Sequence, residues 1–151
     1  MKILAVDLGD ARTGLAICDP SELLASPLGV IWEKNPKRLL EKIVQAVQQQ
    51  GAGQVVVGNP INLDGSVGSR AAQCQAFAKG LCQRLSVPVR LWDERGTTVS
   101  AIGYLNDTDV RGKKRKAVVD AVAAVIILEN YLAYRRNHPQ DQEGFLQKDL
   151  V

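Results

Sequence analysis

The chain has 151 residues, enough for one ordinary domain that buries roughly two-thirds of its unfolded surface. A hydrophobic fraction of 46% fits a packed core, an aromatic share of 5% makes that core aliphatic, and a net charge of +3 is too small to name a partner. The apolar run 117–128 is too short to cross a bilayer, which needs about 20 residues, and the N-terminus enters an apolar strand with no signal-type core.

In chain order, Lys2–Asp7 reads as a continuous apolar strand closing on Gly9, and Thr13–Cys18 as its hairpin partner. A third strand is expected around Leu28–Trp32, after the turn residues Asp19-Pro20-Ser21. Pro36 opens an amphipathic helix with Leu39, Leu40, Ile43, Val44 and Val47 at helical spacing, and Gly51 ends it. Gln54–Val57 is a short buried strand running into Gly58-Asn59-Pro60, followed by a loop through Asn62 and Gly65 and a helix from about Ser69 to Leu85. Val87–Trp92 is the fifth strand, and Thr97 or Thr98 could cap a helix to about Leu105. A basic loop, Arg111-Gly112-Lys113-Lys114-Arg115-Lys116, precedes a helix near Lys116–Tyr134 whose apolar residues go nearly all round, as in a sandwiched element. The polar tail, 137–151, is expected to be mobile, which leaves 1–136 as the domain. A hairpin meander followed by βαβα units implies an α/β fold, a mixed sheet with helices on both faces.

Cys18, Cys74 and Cys82 are odd in number and lack C-x-x-C spacing. Cys74 and Cys82 fall about 12 Å apart on one helix, too far for a disulfide. A reducing, cytoplasmic setting is the expectation.

Three acids interrupt apolar surroundings. Asp7 ends Ile3-Leu4-Ala5-Val6, Glu94 follows the strand ending at Trp92 and Asp93, and Asp120 is the only charge in the run 117–128. Taking an ionised carboxylate out of water costs several kcal/mol, so each needs a partner. With one histidine in the chain, a hard cation held by oxygen ligands is the economical partner for all three. Other readings stay open at each position. The segment Asp7-Leu8-Gly9-Asp10-Ala11-Arg12-Thr13-Gly14 could be a metal site, a nucleotide phosphate loop or a plain hairpin turn. Alternation puts Asp93 and Glu94 on opposite faces, so only one can join a given site, and either could simply favour a helix start. Asp120 could be half of a buried salt bridge.

The motifs Asp7-Leu8-Gly9 with Thr13-Gly14-Leu15-Ala16, Val57-Gly58-Asn59-Pro60 with Asn62-Leu63-Asp64-Gly65, Asp93-Glu94-Arg95, and Lys116-Ala117-Val118-Val119-Asp120-Ala121-Val122-Ala123-Ala124 occur in that order. Together they resemble the putative pre-16S rRNA nucleases, Holliday-junction-resolvase-like members of the RNase H superfamily, over roughly residues 1–134. The resemblance implies a five-stranded sheet of order 3-2-1-4-5 with strand 2 antiparallel. It places the catalytic and metal-binding triad on Asp7, Glu94 and Asp120, with one or two Mg²⁺ or Mn²⁺ ions bracketing the scissile phosphate. It also implies cleavage of structured nucleic acid, above all the 5′ end of precursor 16S rRNA on a pre-ribosomal particle, by a monomer or weak homodimer. This chain departs from the family pattern at Gly96, where leucine is usual, and at Asn59, where the usual motif is Gly-Leu-Pro. Where bona fide junction resolvases carry a second acid or histidine, it has Ala123.

Arg12 and Arg95 are candidates to touch the nucleic-acid backbone, and Arg111, Lys113, Lys114, Arg115 and Lys116 to bind phosphates by counterion release. Asn59 and Asn62 could orient substrate or satisfy loop backbone. The competing classes are a resolvase of branched DNA, a non-catalytic RNA-binding module with structural acids, and an actin-like ATPase. The last needs two domains, for which 151 residues leave no room.

Overall fold

A computed structural model describes residues 1–61, 64–93 and 112–148, with the side chains of 112–120 left aside. Its elements are β1 (Ile3–Asp7), β2 (Arg12–Cys18), β3 (Ala25–Trp32), α1 (Pro36–Gln50), β4 (Gln54–Asn59), α2 (Ser69–Arg84), β5 (Val89–Asp93) and α3 (Gly112–Asn137). The five strands form one sheet in the order β3-β2-β1-β4-β5. β2 runs antiparallel to both β1 and β3, while β1, β4 and β5 are parallel. This is the order and strand direction that the family resemblance implied.

β1 is central, and its alternation divides the core in two. Leu4 and Val6 join Leu15, Val55, Val57 and Val89 beneath α1 and α2. Ile3 and Ala5 join Ala16, Cys18 and Val56 beneath α3. Each fully buried aliphatic side chain contributes about 1.5–3 kcal/mol relative to exposure, so register is strongly specified: a slip by one residue would exchange the two faces.

The helix signals act as their chemistry demands. The Asn35 side chain accepts from the Lys37 and Arg38 amides, Pro36 occupies the first turn, and Gly51 closes α1 with φ 65°. α3 begins at Gly112, so Lys113–Lys116, read from the sequence as part of a loop, form its first turn. Lys and Arg are good helix formers, and no helix breaker follows Gly112. The helix expected to run to about Leu105 lies outside the described residues. α3 buries one broad face on the sheet, and Ala123, Ile126, Asn130 and Ala133 form a half-buried stripe on its other side.

The residues after α3, expected from composition to be mobile, lie along the outer edge of β5. The Leu91 amide donates to the Gly144 carbonyl at 2.9 Å, the Leu146 amide donates to the Val89 carbonyl at 2.9 Å, and Arg90 and Phe145 form an antiparallel bridge. Arg90, only 4% exposed, holds the segment through Asp141 at 3.3 Å and lies 4.8 Å from the Phe145 ring centroid. Composition hid this because the anchoring contacts are few and widely spaced. No helix among the described residues is long and apolar enough to cross a membrane.

Candidate active site at the carboxyl edge of the sheet

In parallel sheets, ligands gather beyond the carboxyl ends of the strands, and Asp7 ends β1 there. By parity with Ile3 and Ala5 it belongs to the α3 face. Its register partner on β2 is Gly14. On β4, Val57 pairs with Val6, so the next residue, Gly58, comes beside Asp7 on the same face. Both flanking positions therefore lack side chains, and the carboxylate stands in a cleared row. The sequence contained both glycines, but only the register shows that they border Asp7.

The hairpin that follows is tightly built. A Cβ on Gly9 would lie 1.8 Å from the Arg12 carbonyl oxygen, so only glycine fits. The Gly9 amide donates to Thr13 Oγ1 at 3.3 Å. Arg70, at the start of α2, donates to Asp10 Oδ1 at 2.8 Å and to the Leu8 carbonyl. Arg70 thus ties the loop beyond Asp7 to the far side of the sheet, a role that no local motif announced. A cavity of about 480 Å³, lined among others by Leu8, Asp10, Lys37, Arg70 and Phe77, opens between that loop, α1 and α2. It lies on the α1/α2 side, opposite the face that carries Asp7.

α3 runs against β1. Near its C-terminal end Tyr131 donates to Gln54 Oε1, and Gln54 pairs with Ile3 at the start of β1. Arg135, one turn on, pairs at 2.6 Å with Glu22, which also binds the amino terminus. From Ile3 to Asp7 the strand rises about 13 Å, and from Tyr131 back to position 120 the helix rises about 16 Å. The helix is thus long enough for its backbone at position 120 to reach the level of Asp7. Ala124, Leu128 and Tyr131 of this helix pack on the Asp7 face.

On β5, Trp92 and Arg90 face α3, with Trp92 edge-on to Tyr131 at 5.3 Å between centroids. Asp93 is the register partner of Asn59 and shares the α1/α2 side with Val89 and Leu91. Asn59 is 6% exposed, and its Oδ1 has no hydrogen-bond partner among the described residues. By parity with Val55 and Val57 it faces away from Asp7. Arg12 is on the Asp7 face, opposite Trp32 in register. Glu94, Arg95, Asn62 and Arg111 lie outside the described residues, as do the side chains of Lys113, Lys114, Arg115, Lys116 and Asp120.

The family model for RuvX, Holliday junction resolvase, matches residues 1–134. A "Putative pre-16S rRNA nuclease" of Pelotomaculum thermopropionicum is 44% identical over 133 residues, 87% of this chain and 86% of that protein. Another, from Halothermothrix orenii, is 43% identical over 135 residues, 89% of this chain and 96% of its own. Among solved structures, T. thermophilus RuvC in complex with Holliday junction substrate superposes with a TM-score of 0.59 at 15% identity, over 90% of this chain and 96% of that one. Fowlpox virus resolvase, in complex with Holliday junction DNA, gives 0.54 at 14% identity, over 89% and 98%. These two structures share the fold, which is RNase H-like. With its motifs spread over the length that the family model matches, the chain belongs to the RuvX family, a nuclease family built on the RNase H-like fold.

Proposed function

We propose that the protein is a divalent-metal-dependent nuclease that processes the 5′ end of precursor 16S rRNA, in the cytoplasm, on a pre-ribosomal particle. The observation that carries this reading is Asp7 at the carboxyl end of the central strand, flanked in register by glycines and on the face that α3 covers. The residues present suit Mg²⁺ or Mn²⁺. Their donors are hard carboxylate oxygens, and the glycines on either side of Asp7 leave room for an ion and a phosphate. Asp7, Glu94 and Asp120 would be the ligands. Once bound, the cation would polarise the phosphate and lower the pKa of the attacking water.

The chain's own groups would do the rest. Arg12, on the Asp7 face, would steady the substrate backbone, with Arg95 beside the third acid. The positive charges from Arg111 to Lys116 would hold phosphates further out. Asn59, buried on the opposite face, would hold the loop after β4 rather than touch substrate. The support for RNA is the shared name of the curated relatives. The description of the family model supports a second reading, resolution of branched DNA.

The test is a panel of precursor 16S rRNA, unstructured RNA and four-way junction DNA, each with Mg²⁺, Mn²⁺ or chelator. Metal-dependent cleavage of the precursor is expected. Cleavage confined to the junction would favour the second reading. Binding of RNA without cleavage of any member would make the protein a non-catalytic RNA-binding module.

A further inference from the structure

Trp32 is 56% exposed at the end of the edge strand β3, although indole surface is usually among the most valuable to bury. Its register partner is Arg12, whose guanidinium carbon lies 5.6 Å from the ring centroid. Parity fixes the face. Ala16 and Cys18 of β2 pack under α3, so Arg12 and Gly14 project to that side, and Trp32 projects with its partner Arg12. Gly14 pairs with Asp7. The row across the strand ends thus reads Trp32, Arg12, the bare Gly14 and Asp7. Two strand spacings and two residue rises put Trp32 roughly 12 Å from Asp7, a distance that a short stretch of single strand can span.

From this we infer that Trp32, braced by Arg12, is a stacking platform for an unpaired base of the nucleic acid cut at Asp7. The inference rests on the nuclease reading and names a determinant of what that site accepts. An aromatic face beside a cation matches the two parts of a nucleotide: the ring stacks on the base and the guanidinium attracts the phosphate. The device needs a base that has left its helix, so the protein would favour single-stranded flanks or loops over perfect duplex. It reads no sequence, because every base has a stacking face.

The experiment labels the protein with 5-fluorotryptophan. The chain has two tryptophans, so the fluorine resonance missing from Trp32→Phe belongs to Trp32. A single-stranded decamer, added without activating metal, should shift that resonance, and an abasic decamer should leave it in place. In turnover, Trp32→Ala should raise KM roughly 5- to 150-fold with little change in kcat, the loss expected for one stacked base. Trp32→Phe should recover most of it. A decamer that binds by anisotropy without moving the Trp32 resonance, or no binding at all, would overturn the platform. So would a Trp32→Ala protein that sediments as a smaller species than wild type, since the ring would then be covered by a second copy. The two levels separate cleanly: cleavage without a base-dependent shift ends the platform alone, whereas a base-dependent shift with no cleavage of any substrate ends the nuclease reading alone.

Discussion

Asp7 follows four residues that are wholly buried, and glycines flank it on both sides of the row. Its carboxylate is held at the boundary between core and solvent by a strand with no freedom to shift. If Asp7 is a metal ligand, millimolar Mg²⁺ or Mn²⁺ should raise the melting temperature by mass action, about 2.7 kcal/mol at a hundred times Kd. The gain should vanish in Asp7→Asn, and a melt of the wild type that metal leaves unmoved would count against the site. Asp120 offers a sharper contrast. As a ligand, its change to Asn should abolish cleavage and leave the metal-free protein as stable as before or more so, because a charge in apolar surroundings is gone. As half of a structural pair, the same change would strand its partner and cost roughly 3–5 kcal/mol. A urea titration of the metal-free mutant reads the difference directly.

At the scale of elements, α3 joins the two functions proposed for this face. Its middle and C-terminal turns pack on β1, β2 and β3, the face that carries Asp7. Its first turn carries Lys113, Lys114, Arg115 and Lys116 and no acid, the wrong sign for the positive end of a helix dipole. A polyanion bound at this turn would relieve that mismatch. Neutralising Lys113, Lys114 and Arg115 should weaken binding about equally across sequences. The salt dependence should flatten by a slope of roughly 0.7 to 0.9 for each phosphate no longer neutralised, and chemistry at saturating substrate should change little. Unchanged affinity and salt slope in the triple mutant would make the segment an ordinary solvated turn. Collapse of turnover with binding intact would instead put these side chains in the active site.

Over the whole molecule, the segment after α3 closes the edge of β5, which would otherwise offer unpaired amides and carbonyls to another chain. Its anchor is Asp141, which binds Tyr134 and Arg90. The Tyr134 hydroxyl above all, then the Glu143 amide and Arg90, hold the Asp141 carboxyl below its ordinary value of 3.8. A carboxyl whose folded pKa is depressed contributes stability above its unfolded pKa, and that contribution is lost as pH falls through the folded value. Asp141→Asn should therefore melt earlier than wild type near pH 6. The gap should close as pH drops below 3.8. A gap that persists undiminished at the acid end would mean that the carboxylate is not the anchor.

The strand alternation of Ile3–Asp7, the signals at Asn35, Pro36 and Gly51, and the acids set in apolar runs were all legible in the sequence. Each rests on local chemistry: side-chain period, capping and the cost of desolvating a charge. Even the helical character of Lys113–Lys116 was available in their propensities, although their charge suggested a loop. What local chemistry could not supply was adjacency between residues far apart in the chain. That Gly14 and Gly58 clear the sides of Asp7, that Arg70 braces its loop and that Trp32 lies across from Arg12 depend on strand order and register. Those are decided by which faces of all five strands can be buried at once. The docked tail has the same origin: Asp141 and Phe145 look like surface residues until Arg90, buried from a strand fifty residues earlier, needs a counter-charge and an aromatic wall.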